Sequence, residues 1–268
     1  MNAFKTSLII STYNWPEALE LCLLSLLSQA ILPDEILIAD DGSGLETREL
    51  IQKYRSKFNV PLHHIWHEDN GFRLAEIRNK AIAVATGDYI IQIDGDLILH
   101  KKFIADHIKF AKKKSFVRAS RIYLSLDTSE KLLDQKQIHF SWFDRGISNK
   151  LSAIHLPFLW RIFEYNYKSK GDEQWEIHGC NMAFWKKDAI TVNGYNEDFK
   201  GWGPEDKEFI VRLSNAGIKK RFIKMGALVF HLYHPENLKN NLLNNESILE
   251  AAIKEKTVVC LTGINQYL

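Results

Sequence analysis

Two carboxylates separated by one glycine, Asp94-Gly95-Asp96, interrupt the run from Gly87 to His100, GDYIIQIDGDLILH. Tyr89, Ile90, Ile91 and Ile93 before them read as a buried strand. Acids at the carboxyl end of a central strand lie where open α/β sheets bind ligands, and hard oxygen ligands of this kind suit Mg²⁺ or Mn²⁺ bridging a diphosphate. The same residues also spell a turn, since Asp-Gly is a common turn dipeptide. A second pair of acids closes Gly201-Trp202-Gly203-Pro204-Glu205-Asp206. Pro204 suits the first turn of a helix whose apolar positions, Phe209, Ile210, Leu213 and Ala216, run to a C-cap at Gly217, so Glu205 and Asp206 stand at its N-terminus. Acids there complement the helix dipole. That leaves Trp202 between two glycines unexplained, an aromatic on a backbone free to approach a ligand closely. Finally, Ala227 to His234 reads as an apolar strand ending in two histidines three apart. A neutral imidazole from His231 or His234 would complete a carboxylate-plus-phosphate metal site and favour Mn²⁺ over Mg²⁺.

The elements that must carry these groups alternate. Ser7 to Thr12 is a buried type of strand, and Asn14 is expected to cap the next helix, with Pro16 in its first turn and Leu19, Leu23, Leu26 and Leu27 at core spacing. Glu35 to Asp40 is the second strand; Ser43-Gly44-Leu45-Glu46 reads as a capping box opening a helix through about Lys57. His63 to His67 reads as a third strand. Leu74, Ile77, Ala81, Ile82 and Ala85 mark a third helix closed by Gly87. The order βαβαβαβ predicts an α/β fold with a mostly parallel sheet flanked by helices and a ligand at its carboxyl edge. The loop after the first strand, Thr12-Tyr13-Asn14-Trp15-Pro16, has no G-x-G-x-x-G, and no G-x-x-x-x-G-K-[ST] occurs, so metal rather than a glycine cradle must neutralise phosphates.

Composition narrows the class. The chain has 268 residues, 46% hydrophobic and 25% charged, enough for one full core, and a net charge of +2 that gives no support for nucleic-acid binding. Cys22, Cys180 and Cys260 show no metal spacing, no export signal is visible, and no segment is long enough to span a bilayer, so a cytoplasmic location is expected. Lys112-Lys113-Lys114 and Lys219-Lys220-Arg221 read as solvated helix ends or as contacts to an anionic inner leaflet, at most peripheral.

STYN after the first strand, ADDGS after the second, EDNGFRLAEIRNKAI before the central strand and IDGD at its end together resemble a family 2 glycosyltransferase of the GT-A, nucleotide-diphospho-sugar transferase fold. GCNMAFWKKDAITVNGYNEDFKGWGPEDKEFIVRL resembles the acceptor half of β-1,4-galactosyltransferases and of bacterial chondroitin-type polymerases. The likeness covers roughly residues 6 to 124 and 178 to 235. It implies an inverting, metal-dependent transferase moving a hexose or N-acetylhexosamine from a UDP-sugar to a saccharide or lipid-linked saccharide acceptor, in surface polysaccharide or lipopolysaccharide synthesis. By the same resemblance Thr12, Tyr13, Asn14, Asp40, Asp41, Arg78, Asp94 and Gly95 would bind the donor, Asp40 and Asp41 its uracil and ribose. Arg78 would meet the diphosphate or an Asp beside it. Asp96 would ligate the metal with His231 or His234, Trp202, Gly203 and Glu205 would hold the acceptor, and Asp206 would be the general base. A nucleotidyltransferase, or a non-catalytic sugar-binding module on the same fold, stands as the alternative. On this reading residues 1–124 form the donor half, 125–177 a variable lobe, 178–235 the acceptor half and 236–268 a helical tail. The lobe is aromatic-rich, with Trp142, Phe143, Phe158, Trp160, Phe163, Tyr165, Tyr167 and Trp175, suiting either sugar stacking or a small apolar core.

Overall fold

Alternation explains the first half. In β1 (Thr6–Thr12), Leu8 and Ile10 point to one face and Ile9 to the other, and all are buried, as a central strand of a covered sheet requires. The computed structural model describes residues 4–139, 145–164, 174–235 and 241–268. β1 is followed by α1 (Pro16–Leu27), β2 (Glu35–Asp40), α2 (Leu45–Arg55), β3 (Leu62–Trp66), α3 (Leu74–Val84) and β4 (Tyr89–Asp94). These four strands pair in parallel, in the order β3-β2-β1-β4.

Beyond β4 come β5 (Leu97–Leu99), α4 (Phe103–Phe110), β6 (Ser115–Ala119), β7 (Arg121–Tyr123), α5 (Leu126–Gln135) and α6 (Trp160–Glu164). The chain then forms β8 (Asn181–Trp185), α7 (Lys186–Thr191), α8 (Glu205–Asn215), β9 (Lys219–Ile223), β10 (Val229–His231) and α9 (Leu242–Lys254). The large sheet extends as β4-β8-β6-β9, with β8 antiparallel to both neighbours and β9 parallel to β6. The reversal at β8 matters for the site. Asn181 pairs with Ile93, so the residues just before β8 arrive at the carboxyl end of β4. A second sheet, β5-β10-β7, pairs His231 with Leu97, and Leu232 N–H donates to the Asp96 carbonyl at 3.0 Å. The histidine strand is thereby stitched to the paired acids.

One face of the large sheet packs on α1 and α2 through Leu19, Leu23, Ile51 and Tyr54; the other packs on α3 and α8 through Ile77, Ile82, Phe209 and Ile210. A third cluster, with Ile98, Ile122, Leu132, Ile147 and Phe230, joins the small sheet to α5. Trp160 belongs to the main core, while Phe158 is exposed; Trp142, Phe143, Tyr165 and Tyr167 lie outside the described residues.

Several expectations about helix ends are corrected. Asn14 does not cap α1, and Ser43 does not cap α2. Instead Asn14 N–H donates to Ser43 Oγ at 2.8 Å while Gly44 N–H donates to Asn14 Oδ1 at 2.9 Å, latching the loops after β1 and β2 together. α3 ends at Val84 with Ala85 as its C-cap, and Gly87 serves packing: a Cβ there would lie 2.4 Å from Ser7 Oγ, which accepts the Gly87 N–H. Lys219-Lys220-Arg221 is not a free basic run but the start of β9; Lys220 Nζ donates to the Glu176 carbonyl at 2.5 Å and Arg221 bonds Glu164. Gly217 does follow the end of α8 in the left-handed region, φ +80°.

Candidate active site

The carboxyl ends of β1, β2 and β4, the turn before β8, the N-terminus of α8 and the end of β10 enclose a cleft of about 660 Å³. At its floor lies Arg78 of α3, a side chain only 1% exposed. Burial works against a charge there, yet Asp206, Asp94 and Glu205 hold the guanidinium above its ordinary pKa. NH1 donates to Asp206 Oδ1 at 2.9 Å, NH2 to Asp94 Oδ1 at 3.0 Å and Nε to Ser11 Oγ at 3.2 Å; Glu205 Oε1 stands 3.7 Å from NH1. One arginine therefore ties an acid at the end of β4 to the acids opening α8. Of the two partners expected for Arg78, the structure shows the neighbouring Asp.

Glu205 and Asp206 are differentiated by surroundings. Burial, with the neighbouring Asp206 charge added, pushes the Glu205 carboxyl up to about 8, and its Oε2 is buried with no hydrogen-bond partner among the described residues. Asp206 takes the direct ion pair with Arg78 and an additional contact from the buried Tyr195 hydroxyl at 3.2 Å, a hydroxyl also 2.9 Å from Gln92 Oε1. Its Oδ2 lies against Gly179, where a Cβ would sit 1.7 Å away. Glycine is required there by close approach.

Asp96 faces two imidazoles. His231 Nε2 is 3.5 Å and His234 Nε2 3.3 Å from Asp96 Oδ2. Each histidine has Nδ1 2.8 Å from a backbone carbonyl, Leu232 O and Pro235 O respectively, which places a proton on Nδ1 and turns Nε2 toward Asp96. Burial pulls Asp96 upward, but the His234 hydrogen bond and the charges of both histidines prevail and hold it below the carboxylate range. The Asp96 contact in turn pushes His234 up to about 8. Asp96 Oδ1 is buried without a hydrogen-bond partner among the described residues. One carboxylate and two imidazoles whose ligand atoms lie within 4.8 Å of one another fit a divalent transition metal, and both histidines, not one alone, stand near Asp96.

The remaining expected residues divide. Thr12, Tyr13, Asp41 and Gly95 line the cleft, as do Trp202 and Gly203. Asp41 is buried and its carboxyl raised by that burial, while Arg73 N–H and His67 bond its two oxygens. Asp40 and Asn14 do not line the cleft. Asp40 is 0% exposed: Oδ1 accepts the Ser43 N–H at 2.8 Å and Oδ2 meets His64 at 2.7 Å, so it builds the turn rather than facing a ligand. Asn14 is committed to the loop latch. Gly203 is glycine because a Cβ would lie 2.6 Å from Asn245 Nδ2, rather than to admit a ligand. Asn245, on α9, donates to the carbonyls of Lys200 and Trp202 and so fixes the Trp202 loop. The helical tail also supplies Leu242, Glu246 and Leu249 to the cleft wall. Gly179 sat inside the quoted GCNMAF motif and was legible as a glycine; nothing local marked Tyr195 or Asn245.

The family model described as glycosyl transferase family 2 matches residues 7–190. The chain belongs to glycosyltransferase family 2. A second model, the N-terminal domain of galactosyltransferase, matches residues 161–235. Similar proteins include the chondroitin synthase of Escherichia coli, 26% identical over 242 residues that cover 85% of this chain and 35% of that protein. The chondroitin synthase of Pasteurella multocida strain Pm70 is 27% identical over 266 residues, 93% of this chain and 27% of its own. This glycosyltransferase thus spans about a third of the length of those relatives. Among solved structures, S. aureus TarS superposes with a TM-score of 0.65 at 17% identity over 98% of this chain and 41% of its own. TarS 1-349 in complex with UDP-GlcNAc gives 0.61 at 18%, covering 87% and 60%. The mannosyltransferase PcManGT from Pyrobaculum calidifontis, in complex with GDP-Man and Mn²⁺, gives 0.58 at 15%, covering 87% and 58%. These likenesses establish the GT-A fold.

Proposed function

We propose that this family 2 glycosyltransferase moves a hexose or N-acetylhexosamine from a UDP-sugar to a hydroxyl of a saccharide or lipid-linked saccharide acceptor, with inversion, in surface polysaccharide synthesis. The observation that carries this reading is the Arg78 bridge, which holds Asp206 at the cleft beside Asp94, with Asp96 two residues further on. Support for the donor class comes from TarS, solved with UDP-GlcNAc, and for a saccharide acceptor from the chondroitin synthases among its relatives.

Residues 1–124 would supply the donor side, with Thr12, Tyr13 and Asp41 toward the nucleoside and Asp94 and Gly95 toward its ribose and diphosphate. Asp96, His231 and His234 would hold Mn²⁺ or Mg²⁺, and when bound the cation offsets the negative charge that develops on the diphosphate. Residues 178–235 would supply the acceptor side. Trp202 offers a face to the acceptor sugar. Glu205, protonated until about pH 8, donates a hydrogen bond from its unpartnered oxygen to an acceptor oxygen. Asp206 accepts the proton of the attacking hydroxyl; the acceptor oxygen bonds to the anomeric carbon as the bond to the diphosphate oxygen breaks, and the electron pair leaves with UDP. Attack from the face opposite the leaving group inverts the centre, so no covalent enzyme intermediate is involved. Arg78 orients the acids on both sides of the reacting bond.

Hydrolysis of UDP-galactose, UDP-N-acetylgalactosamine, UDP-glucose and UDP-N-acetylglucosamine with Mn²⁺ present identifies the donor, and Asp206→Asn tests the base. Turnover is expected to fall about 10²-fold or more while the UDP affinity stays close to wild type. Near-normal kcat in that variant would remove Asp206 as the base.

A further inference from the structure

Arg121 opens β7 and lines the cleft, yet its guanidinium lies within ion-pair distance of no carboxylate among the described residues. Its contacts are Cys180 Sγ at 3.6 Å and the Tyr123 ring, 4.6 Å from the guanidinium carbon to the centroid. Its Nε is buried with no hydrogen-bond partner among the described residues. The thiol is a poor counterion, because burial, with Asp94 adding to it, pushes Cys180 up to about 12 and keeps it neutral. The neighbouring acids are already engaged: Arg78 holds Asp94 and Asp206, Asp96 faces the two histidines, and Arg118 donates to Glu176 at 2.9 Å. A guanidinium is charged at every working pH, and its fork of donors suits carboxylate or phosphate oxygens. Leaving one half-buried with an orphaned donor is costly unless an anion arrives.

Its position says where that anion comes from. In the small sheet Arg121 pairs with Val229 and Tyr123 with His231, so the Tyr123 ring stands between the two, 5.6 Å from the His231 ring. Arg121 is therefore one ring away from the Asp96–His231–His234 cluster, in the wall of the same cleft. We propose that Arg121 receives an anionic oxygen of the donor, carried either on its diphosphate or as a carboxylate on its sugar. The proposal rests on the nucleotide-sugar reading above.

Calorimetric titration of UDP, UMP, UDP-glucose and UDP-glucuronate into wild type, Arg121→Met and Arg121→Lys, with Mn²⁺ present, separates the cases. Methionine keeps an apolar stem of similar length and removes the charge. A diphosphate contact predicts that Arg121→Met binds UDP about tenfold more weakly or worse while UMP binding is unchanged, the loss expected for a hydrogen bond to a charged group. A carboxylate contact predicts unchanged UDP binding and a wild-type preference for UDP-glucuronate over UDP-glucose, about tenfold, that vanishes in Arg121→Met. In either case lysine recovers part of the loss, since it keeps the charge without the fork. If Arg121→Met does not fold by circular dichroism, Arg121→Lys decides alone, through a smaller loss in the same ligand. Affinities within about twofold of wild type for all four ligands in the folded variants overturn the proposal, that change being far below one charge-assisted hydrogen bond. Failure of UDP to bind wild type would instead remove the nucleotide-sugar reading.

Discussion

Glu205→Gln should make the ligand-free protein more stable, and increasingly so as the pH rises. Glu205 is 6% exposed, and burial beside Asp206 lifts its carboxyl from 4.5 to about 8, with Arg78 3.7 Å away only partly offsetting the shift. Below pH 4.5 the folded and unfolded chains both hold the proton, so the group contributes nothing to the pH dependence. Between 4.5 and about 8 the unfolded chain has released the proton and the folded chain retains it. Wild-type stability accordingly falls across this window at up to about 1.4 kcal/mol per pH unit, and a few kcal/mol in total are at stake. Above about 8 both states are ionised and the loss is complete. Glutamine keeps the shape and cannot ionise, so it escapes the loss. At roughly 2–4 °C per kcal/mol for a chain of this size, the melting temperature of Glu205→Gln relative to wild type should widen by about 7–14 °C between pH 5 and pH 8. Scanning calorimetry of both proteins at half-unit steps, with EDTA to keep metal out of the comparison, gives the answer. Parallel curves would mean that Glu205 ionises in the folded protein as it does in water. The role proposed for it as a proton-bearing acceptor contact would then be wrong.

Other outcomes follow from the same geometry. Asp96→Ala should abolish Mn²⁺-dependent UDP binding in calorimetry while leaving far-UV circular dichroism unchanged, because it removes a ligand and no core contact; UDP affinity and turnover indifferent to EDTA in wild type would contradict the metal assignment. Gly179→Ala places a methyl group 1.7 Å from Asp206 Oδ2 and must displace that carboxylate. Its kcat should drop about 10-fold to 100-fold with UDP affinity retained, and a wild-type kcat would show that Asp206 need not sit where the structure puts it.

The parallel half of the sheet was readable from sequence because its signals are local: buried runs such as SLIIST and EILIAD, a polar break after each, and helical spacing between them. The paired acids after β4, the acids opening α8 and the histidines after β10 were readable for the same reason, since each sits at the end of a periodic segment. Which of two chemically identical neighbours reaches the cleft was not. Asp40 still obeys the pairing of β2 and turns inward to His64 and the Ser43 amide, whereas Asp41, one residue later, reaches the cleft wall. Lys219-Lys220-Arg221 looked like a solvated charge run, but edge pairing with β6 draws the heads of Lys220 and Arg221 onto carbonyls and Glu164. Arg78 was legible as a misplaced charge on an apolar helix face. Its bond to Asp206, 128 positions away, depended on the antiparallel insertion of β8 beside β4 and on the packing of α8 against the same sheet. Likewise, only the docking of α9 on α8 brought Asn245 beneath the Trp202 loop. Sequence periodicity specifies which residues end an element, because that is a property of neighbours along the chain. Sheet order and helix docking decided which of those ends meet, because they set distances between residues that no local signal relates.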